Sequence, residues 1–427
     1  MFRSVDSLDK RKGLALPKRK QFSSWQHNEL FGARSSRDIW QQIHSLMPLR
    51  DAARAACVSR AFLRSWRCHP NLTLKKKEVG FIDFTNKVDK ILRKHSGVGV
   101  KKLNLEFTDY FTANIRNYYL DSWLQIAVTP SIEELTLKLA YTFSDSITLG
   151  GQYQVLDYEF PCSILSDGSR SSIQFLELEC CTFRPTVQLG CLGSLTRLHL
   201  IFVGITGDES GCLLSNSVAL EYLELKCCSE IICLKIPRQL RRLSHLYVNG
   251  DLVQRIENKA QNLCSIYLGG LKLPAQLSPG ESLQLEESLK LKRMNIQCHN
   301  AFHYARTVLP LIAPNLENLT VESRLEEVNI PMAPSKFLHL KYLKIIQFLG
   351  FPQASDYFSL VSFINASPSL ETFSLIVPQR INEQDSIFGD SSNLRRMPQY
   401  SHHNLQSFNI TGFSSAKSLI ELTCHII

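Results

Sequence analysis

A single spaced pattern, apolar-x-x-apolar-x-apolar, recurs from residue 100 to the end of the 427-residue chain. Most of the steps between successive copies fall near the roughly 20–29 residues of a leucine-rich repeat. The pattern therefore predicts an α/β fold, a curved leucine-rich-repeat solenoid of about twelve irregular repeats. The middle apolar residues of the copies are Leu103, Leu135, Leu176, Leu198, Leu223, Leu246, Ile266, Met294, Leu319, Leu343, Phe373 and Phe408.

Each copy predicts one short strand whose last two apolar residues point inward, so that the residues between and beside them face outward. Cys181 and Cys228 take the ninth position of their copies, where a thiol can satisfy backbone groups as the chain turns away. The outward residues are the first candidates for binding a target, although each also fits a generic solvated strand face. The four candidates are Glu177, His199, Glu224 and Tyr247.

Two gaps in the series are longer than a standard repeat, over residues 138–172 and 376–404. The first contains Gly150-Gly151, and the second contains the basic pair Arg395-Arg396. Long insertions in repeat proteins often lie on a binding face. We therefore expect both gaps to be loops or insertions of that kind.

The segment before the repeats, residues 38–74, has a helical pattern. Ile39, Ile43 and Leu46 are spaced as one face of a helix, and Pro48 should end that helix because it lacks an N–H donor. Two more helices are predicted over residues 50–58 and 59–67. Three helices in under 40 residues bury little by themselves, so this unit is either a cap on the repeats or a docking unit. A further helix over residues 87–95 is expected to cap the N-terminal end of the repeats.

Composition narrows the class of protein. A hydrophobic content of 44% supports a full core. The sequence contains no run of 18 apolar residues and its first residues lack an apolar h-region, so we expect neither a membrane segment nor a signal peptide. The 13 cysteines are then expected to be reduced thiols in the nucleus or cytoplasm.

The formal charge of +9 is unevenly distributed, because residues 1–20 carry seven basic and two acidic side chains. Residues 1–34 are expected to form a disordered basic tail, whose clusters fit either nuclear import or simple solvation. Nucleic-acid binding is not expected, since no aromatic residues are interleaved with the basic ones. The sequence contains no P-loop, no His-Glu-x-x-His and no pair of Cys-x-x-Cys motifs. We therefore expect recognition rather than catalysis, with no cofactor and no metal.

A compact helical unit followed by leucine-rich repeats resembles the F-box/leucine-rich-repeat proteins of plants. The central signature is the run Cys57-Val58-Ser59-Arg60 followed by Trp66, and Asp38-Ile39, Pro48-Leu49 and Ala52-Ala53 match as well. Residues 403–413 and 418–422 are similar to the FBD region of that family. The resemblance implies an F-box over residues 35–75, a linker and cap helix over 76–99, and repeats over 100–427. The FBD-like segment would span about 370–427.

By that resemblance, the chain is a non-catalytic, substrate-recruiting subunit of a Skp–cullin–F-box ubiquitin ligase. The F-box would bind the Skp-type adaptor, and through it a cullin, while the repeats bind an unidentified target protein. Each of the implied adaptor contacts also fits internal packing of the three helices. They are Ile39, Leu46, Pro48, Leu49 and Val58.

The sequence departs from the family pattern in one place that bears on this function. F-boxes usually begin with Leu-Pro just before the aspartate, whereas this chain has Ser35-Ser36-Arg37. The alternative interpretation is therefore a non-ligase interaction scaffold with a vestigial F-box. The apolar helix predicted at the C-terminus also suggests a shortened or alternative form of the chain.

Overall fold

The computed structural model describes residues 39–76, 84–96, 99–107, 117–139, 142–143, 153–154, 158–166, 172–185, 192–272, 283–285, 290–323, 328–348, 355–378, 394–395, 403–413 and 416–426. The predicted basic tail, Ser35-Ser36-Arg37, Gly150-Gly151 and Arg396 lie outside these residues. The chain divides into two compact units. The N-terminal unit comprises residues 1–108 and 114–136, and the C-terminal unit comprises residues 109–113 and 137–427.

Three short helices begin the described part of the N-terminal unit. The first covers residues 39–46, and the others are Leu49–Ala56 and Arg60–Arg67. As predicted, the first helix ends before Pro48, whose carbonyl then accepts hydrogen bonds from Asp51 and Ala52. Ser59 is the N-cap of the third helix, because its hydroxyl accepts a hydrogen bond of 3.1 Å from the Phe62 N–H. The sequence therefore predicted all three helices to within two residues.

A strand that the repeat pattern did not predict follows these helices. Strand β1, Asn71–Lys75, pairs in parallel with β2, Lys102–Glu106, so that Leu72 lies beside Leu103. The segment expected to be the F-box, residues 35–75, therefore includes a strand of the sheet as well as the three helices. The helix predicted over residues 87–95 is Phe84–Lys94. Strand β1 precedes this helix and pairs with β2, so the first element of the sheet is a strand that comes before the predicted cap helix.

The core of the N-terminal unit lies beside these strands. Helix Phe84–Lys94 buries Val88 and Leu92, and helix Asn117–Ala127 buries Trp123 and Leu124. The Trp123 Nε1–H donates to the Asp89 carboxylate at 3.3 Å, which satisfies the one polar atom of the indole. The division between the two units falls within β3, Glu134–Lys138.

In the C-terminal unit, the repeat strands follow one another in chain order in a parallel sheet. All twelve predicted copies coincide with a strand, counting β2 and β3. The inward apolar residues are buried in every copy but the last. In the last copy, Phe408 and Ile410 are half-buried. The strands of the C-terminal unit are β6 Phe175–Glu179, β7 Arg197–Ile201, β8 Tyr222–Lys226, β10 His245–Asn249, β12 Ser265–Lys272, β14 Arg293–His299, β15 Asn318–Ser323, β16 Tyr342–Gln347, β17 Thr372–Ile376 and β18 Ser407–Thr411.

A second, smaller parallel sheet runs between successive repeat strands of the C-terminal unit. Its strands are β9 Cys233–Ile236, β11 Arg255–Asn258 and β13 Leu283–Leu285, in the order β13-β11-β9. Strands β4, Thr142–Phe143, and β5, Tyr153–Gln154, form a separate antiparallel pair in the first long gap. Some connections between the repeat strands are therefore short strands rather than helices.

Helices provide several other described connections of the C-terminal unit, and one further helix follows its last strand. They are Ser163–Ser166, Gly207–Ser215, Ala301–Thr307, Leu309–Ile312, Val361–Asn365 with the preceding 3-10 turn Tyr357–Leu360, and Lys417–Ile426. Helix Gly207–Ser215 begins with a capping box, in which Thr206 and Glu209 satisfy each other's backbone N–H groups. The predicted C-terminal helix is confirmed, with Leu419 and Leu422 fully buried. None of the helices in the described ranges combines the length and apolar character of a membrane-spanning segment.

The predicted role of cysteine after the repeat strands is confirmed at one position. Cys228 is buried, and its Sγ–H donates to the Leu200 carbonyl of a neighbouring repeat at 3.5 Å. Burial raises the pKa of this thiol to about 12, so it remains a neutral donor. The preceding residue, Cys227, has a φ of 52°, and Cys180 has a φ of 58°, so in both repeats the chain turns through a left-handed residue.

Candidate protein-interaction sites

The first helix of the N-terminal unit packs through only one of its faces. His44 is buried and its ring lies 4.9 Å from that of Phe62, while the ring of Trp40, one turn earlier, lies 5.0 Å from Phe62. Burial, followed by the nearby ring of His69, lowers the pKa of His44, so the imidazole is neutral at pH 7. The Phe62 contact thus fixes which side of the helix faces the other two helices.

The other face of this helix is exposed and apolar. Ile39, Ile43 and Leu46 are spaced by four and three residues and therefore lie on one side. Their exposed fractions are 52%, 42% and 83%. Exposing three large aliphatic side chains in one stripe is unfavourable in water, since burying each one fully would stabilise the molecule by roughly 1.5–3 kcal/mol. This face has no covering element among the described residues.

The remaining residues implied as adaptor contacts lie at the ends of the next helices. Pro48 is exposed, Leu49 is half-buried, and Val58 is 78% exposed. Internal packing, the alternative considered from the sequence, therefore accounts for part of Leu49 but not for Leu46, Pro48 or Val58.

A small polar network holds the end of the exposed helix in place. His69 is buried, and its Nδ1 accepts from the Asn71 N–H at 3.1 Å, which places the ring proton on Nε2. That Nε2–H donates to the Met47 carbonyl at 3.1 Å, and the Asn71 side chain donates to the Ser45 carbonyl at 3.3 Å. The start of β1 thereby satisfies the last carbonyls of the helix and fixes its position within the unit.

In the C-terminal unit, the register brings the four target-face candidates into one row across the sheet. Glu177 lies beside His199, His199 beside Glu224, and Glu224 beside Tyr247, one residue from each of β6, β7, β8 and β10. The same row continues to Tyr267 of β12. We call these five residues the central row. Neighbouring members are separated by one strand spacing of about 4.8 Å.

The members of the central row differ in how accessible they are. Glu177 is only 9% exposed and its carboxylate is 2.8 Å from the Lys138 Nζ, so it is largely occupied by its own chain. His199 is half-buried, with its Nδ1 3.5 Å from the Glu224 carboxylate. Burial lowers the pKa of His199, and the flanking carboxylates oppose this only in part. The row therefore presents a neutral imidazole between two carboxylates.

The far end of the central row is aromatic. The rings of Tyr247 and Tyr267 stack with centroids 4.1 Å apart and planes 4° from parallel. Gly269 lies beside them, and a Cβ there would be 2.9 Å from the Tyr267 ring. The Tyr267 hydroxyl donates to the Gln297 side chain, which in turn donates to Glu322. This chain of hydrogen bonds crosses three strands and fixes the Tyr267 ring, on which the Tyr247 ring stacks.

Sequence reasoning missed a second row that lies two residues earlier in the strands. Its members include Phe175, Tyr222 and His245. The ring of His199 contacts both Phe175 and Tyr222, at 5.0 and 5.1 Å. These residues occupy a constant offset, one position before the middle apolar residue of each copy, so the same alignment of copies could have found them. No group of His, Cys, Asp or Glu within the described ranges is arranged to hold a metal ion.

Arg395, in the second long gap of the repeat series, binds two acidic residues of its own chain. Its guanidinium bonds the Asp356 carboxylate at 2.6 and 2.8 Å and the Glu421 carboxylate at 2.7 and 2.9 Å. It also lies 4.9 Å from the centre of the Phe358 ring. Because Glu421 has no exposed side-chain surface, Arg395 neutralises a buried charge on the C-terminal helix.

Comparison with known proteins gives a family and a distant structural similarity. The family described as "At1g61320/AtMIF1, LRR domain" matches residues 91–427. Among curated proteins, none matches the chain. An internalin (inlF) from Listeria monocytogenes is similar in structure, at 13% identity and a TM-score of 0.34, over 80% of this chain and 93% of the internalin chain. Since the family match covers well over half of the sequence, the chain belongs to the At1g61320/AtMIF1 leucine-rich-repeat family, whose repeats are protein-binding modules.

Proposed function

We propose that this protein is a substrate-recruiting subunit of a Skp–cullin–F-box ubiquitin ligase, with no catalytic residue of its own. In this role the N-terminal helices bind a Skp-type adaptor, and through it a cullin, while the repeats bind a target protein. Catalysis then relies on proximity, since one chain holds the target near a separately bound conjugating enzyme. The FBD-like segment over about 370–427 is part of the target-binding unit in this proposal.

The observation that carries the proposal is the exposed face of the first helix. Ile39, Ile43 and Leu46 project from a helix whose other side is held by Phe62, so the face is presented rather than merely loose. An amphipathic helix that leaves its apolar stripe open is suited to binding a complementary apolar groove. Pro48 and Val58 are exposed as well, as adaptor contacts would have to be in the free protein.

The second support is the strand face of the C-terminal unit, which is suited to binding a target protein. The C-terminal unit has a broad strand face with aromatic rings, among which Tyr247 and Tyr267 stack on each other. Large aromatic side chains with a polar end are typical of protein-binding surfaces. Recognition of a protein is the function that such a face supports best.

Co-purification with a Skp-type adaptor tests the proposal. Leu46→Asp is the informative variant, because a side chain that is 83% exposed can be replaced without disturbing the fold. Its burial on binding would contribute roughly 1.5–3 kcal/mol, and the aspartate adds a buried charge. We therefore expect adaptor affinity to fall by at least about 30-fold.

A matched control separates adaptor binding from general exposure of apolar residues. Ile232 lies in the C-terminal unit and is 59% exposed, so Ile232→Asp makes the same kind of change elsewhere. The adaptor should be retained by the wild-type chain and by this control, and lost with Leu46→Asp. Equal retention of the adaptor by all three chains would exclude the exposed helix as the docking face.

One sequence feature favours a second function, a non-ligase scaffold with a vestigial F-box. Ser35-Ser36 stands where F-boxes usually have Leu-Pro, which removes an apolar anchor and the proline start of the helix. In that case the wild-type chain does not retain the adaptor, whereas Ser35→Leu/Ser36→Pro does. Retention by the wild-type chain excludes the scaffold function.

A further inference from the structure

The fold gathers basic residues that the overall charge count does not reveal. Three exposed arginines, Arg238, Arg241 and Arg242, lie in the turn between β9 and β10. Exposed Lys259 lies in the next turn, between β11 and β12. Exposed Lys290 and Arg293 lie just before and at the start of β14. We call these six residues the basic rim, since all lie near the N-terminal ends of three adjacent strands.

Hydrogen bonds between the turns show that the basic rim is continuous. Asn262 donates through its side-chain amide to the Arg241 carbonyl, and its amide oxygen accepts from the Lys290 Nζ. The backbone N–H of Lys259 donates to the Ile236 carbonyl at 3.0 Å, beside the arginine turn. The three turns are therefore neighbours, and the basic charges cluster in space although up to 55 residues separate them in the sequence.

Five of the six cations of the rim are not neutralised by the described part of the chain. Among those residues, Arg241, Arg242, Lys259 and Arg293 have no carboxylate within ion-pair distance, and Lys290 bonds only the neutral Asn262. Two acidic residues that lie close to the rim in the described part of the sequence are directed elsewhere. Glu257 pairs with Arg255 on the small sheet, and Asp251 follows β10 at its opposite end, beside Gly270.

Acidic residues lie on both sides of the basic rim. Exposed Glu221 precedes β8, and its carbonyl accepts the N–H groups of Ser244 and His245 at the start of β10. On the other side Glu317 precedes β15 and pairs with Lys292 at 2.7 Å. The positive region is thus only two strand spacings wide, about 10 Å. An extended peptide of three or four residues, at roughly 3.3 Å each, matches that width.

We propose that the basic rim binds a short Asp- or Glu-rich segment of the target protein. The proposal rests on the proposed target-binding role of the repeats and names the chemistry of one contact. Arginine forks form paired, charge-assisted hydrogen bonds with carboxylates, and four of the six cations are arginines. A nucleic acid fits less well, because one helical turn of about 34 Å would place phosphates against Glu221 and Glu317. The adjoining Tyr247 and Tyr267 of β10 and β12 offer apolar contact to residues next to the acidic ones.

The experiment measures binding of labelled peptides to the full chain by fluorescence anisotropy. A six-residue glutamate peptide should bind, with an affinity that falls steeply as the salt concentration rises from about 50 to about 200 mM. The matching glutamine peptide should bind at least about tenfold more weakly. Arg241→Gln/Arg242→Gln should weaken binding of the glutamate peptide about fivefold or more.

A control variant removes the same charge elsewhere. Lys90→Gln/Arg93→Gln changes two exposed basic residues of helix Phe84–Lys94, in the N-terminal unit, and should leave peptide binding unchanged. An equal loss with this control would show that net charge alone attracts the peptide, and the proposal fails. Retention of the Skp-type adaptor by Arg241→Gln/Arg242→Gln keeps this test independent of the docking proposal.

Three further outcomes would overturn the proposal. The first is tighter binding of a 20-base-pair DNA duplex than of the peptide, with the duplex as the more sensitive to Arg241→Gln/Arg242→Gln. The second is binding of a phosphoserine peptide but not of the glutamate peptide. The third is loss of peptide binding with Glu286→Gln/Glu287→Gln, since removing these two negative charges, which precede Lys290 outside the described residues, should preserve or strengthen it.

Discussion

Arg306 allows the sharpest test of what holds the C-terminal unit together. Only 2% of it is exposed, and its guanidinium donates to four oxygens on two segments of the chain. Nε bonds the Ser362 carbonyl and hydroxyl at 3.0 and 2.9 Å, Nη1 bonds the Ser335 carbonyl at 2.9 Å, and Nη2 bonds the Ala333 carbonyl at 2.5 Å. Residues 328–337 form no strand, so these two carbonyls depend on the arginine.

The magnitude follows from those partners. Arg306→Met keeps an unbranched apolar stem but leaves the carbonyls of Ala333 and Ser335 without a donor, at about 1–3 kcal/mol each. Removing a charge that is buried without a described carboxylate partner offsets part of that loss. Burial lowers the pKa of Arg306, the direction expected when desolvation disfavours the charged form. We therefore expect the free energy of unfolding to fall by about 2–4 kcal/mol.

Arg306→Lys distinguishes the fork from the charge. A lysine keeps the charge but has a single nitrogen, which cannot reach both Ala333 and Ser335 from the position of the guanidinium. We expect this variant to be at least as unstable as Arg306→Met, because it retains the cost of the buried charge and loses the paired bonds.

Urea unfolding followed by circular dichroism gives the comparison, through the midpoint and its slope. Hydrogen exchange at the Ile330 N–H, which donates to the Ser359 hydroxyl at 3.0 Å, reports the clamped segment directly. The control is Arg93→Met, which removes an exposed pair with Asp89 and should cost less than about 0.5 kcal/mol. If Arg306→Lys unfolds within about 0.5 kcal/mol of the wild type, the reasoning from the guanidinium fork is refuted.

Two further predictions concern buried charge. Burial lowers the pKa of His44 and of His95, so the unfolded chain takes up protons first as the pH falls below the ordinary value of about 6.5, and the helical part should lose stability on acidification. Hydrogen exchange at about pH 7.5 and about pH 5.5 measures this loss of stability. The His44→Phe variant should show a smaller dependence of stability on pH. A rise in the stability of the wild-type chain at the lower pH would contradict the prediction. Glu421→Gln should lower the free energy of unfolding by about 2 kcal/mol, because it weakens three bonds from Arg395 that the buried carboxylate accepts. The urea midpoint measures that loss, and no change would mean that Asp356 alone holds the arginine.

The repeat strands could be predicted from the sequence because each one carries its own signal. The middle and last apolar residues of all twelve copies lie in strands, and the constant offset between them also sets the register of the outward rows. Glu177, His199, Glu224 and Tyr247 consequently became neighbours in the central row. The pattern could not show that Lys138 would form an ion pair with Glu177, since that contact joins residues in different repeats.

Strand β1 escaped prediction because a polar residue takes the place of the first apolar one. His69, Leu72 and Leu74 have the spacing of a repeat, but a search for apolar residues stops at the histidine. The structure buries His69 all the same, because Met47 and Asn71 satisfy both of its ring nitrogens. A hydrogen-bonded histidine can thus substitute for leucine, and only the fold reveals its partners.

The small sheet was missed for the opposite reason, since its signal was present. Ile231, Leu234 and Ile236 repeat the same apolar spacing within a single step of the main series, and all three are buried. Counting only one copy per step left this second strand unrecognised. The basic rim is a different case, because no count along the chain brings Arg241 beside Lys290 without the contact through Asn262.

The exposed helix shows where periodicity reaches its limit. Spacing placed Ile39, Ile43 and Leu46 on one face, but the same spacing describes a helix that buries its stripe and a helix that presents it. The choice depends on a competing face, that of Trp40 and His44, which is also spaced by one turn; His44 is buried there, whereas Trp40 contacts Phe62 but stays 43% exposed. Because Phe62 pairs with those rings, the aliphatic stripe is left without an internal partner. An apolar face that stays exposed can therefore be recognised when a second face of the same helix makes the packing contacts of the unit.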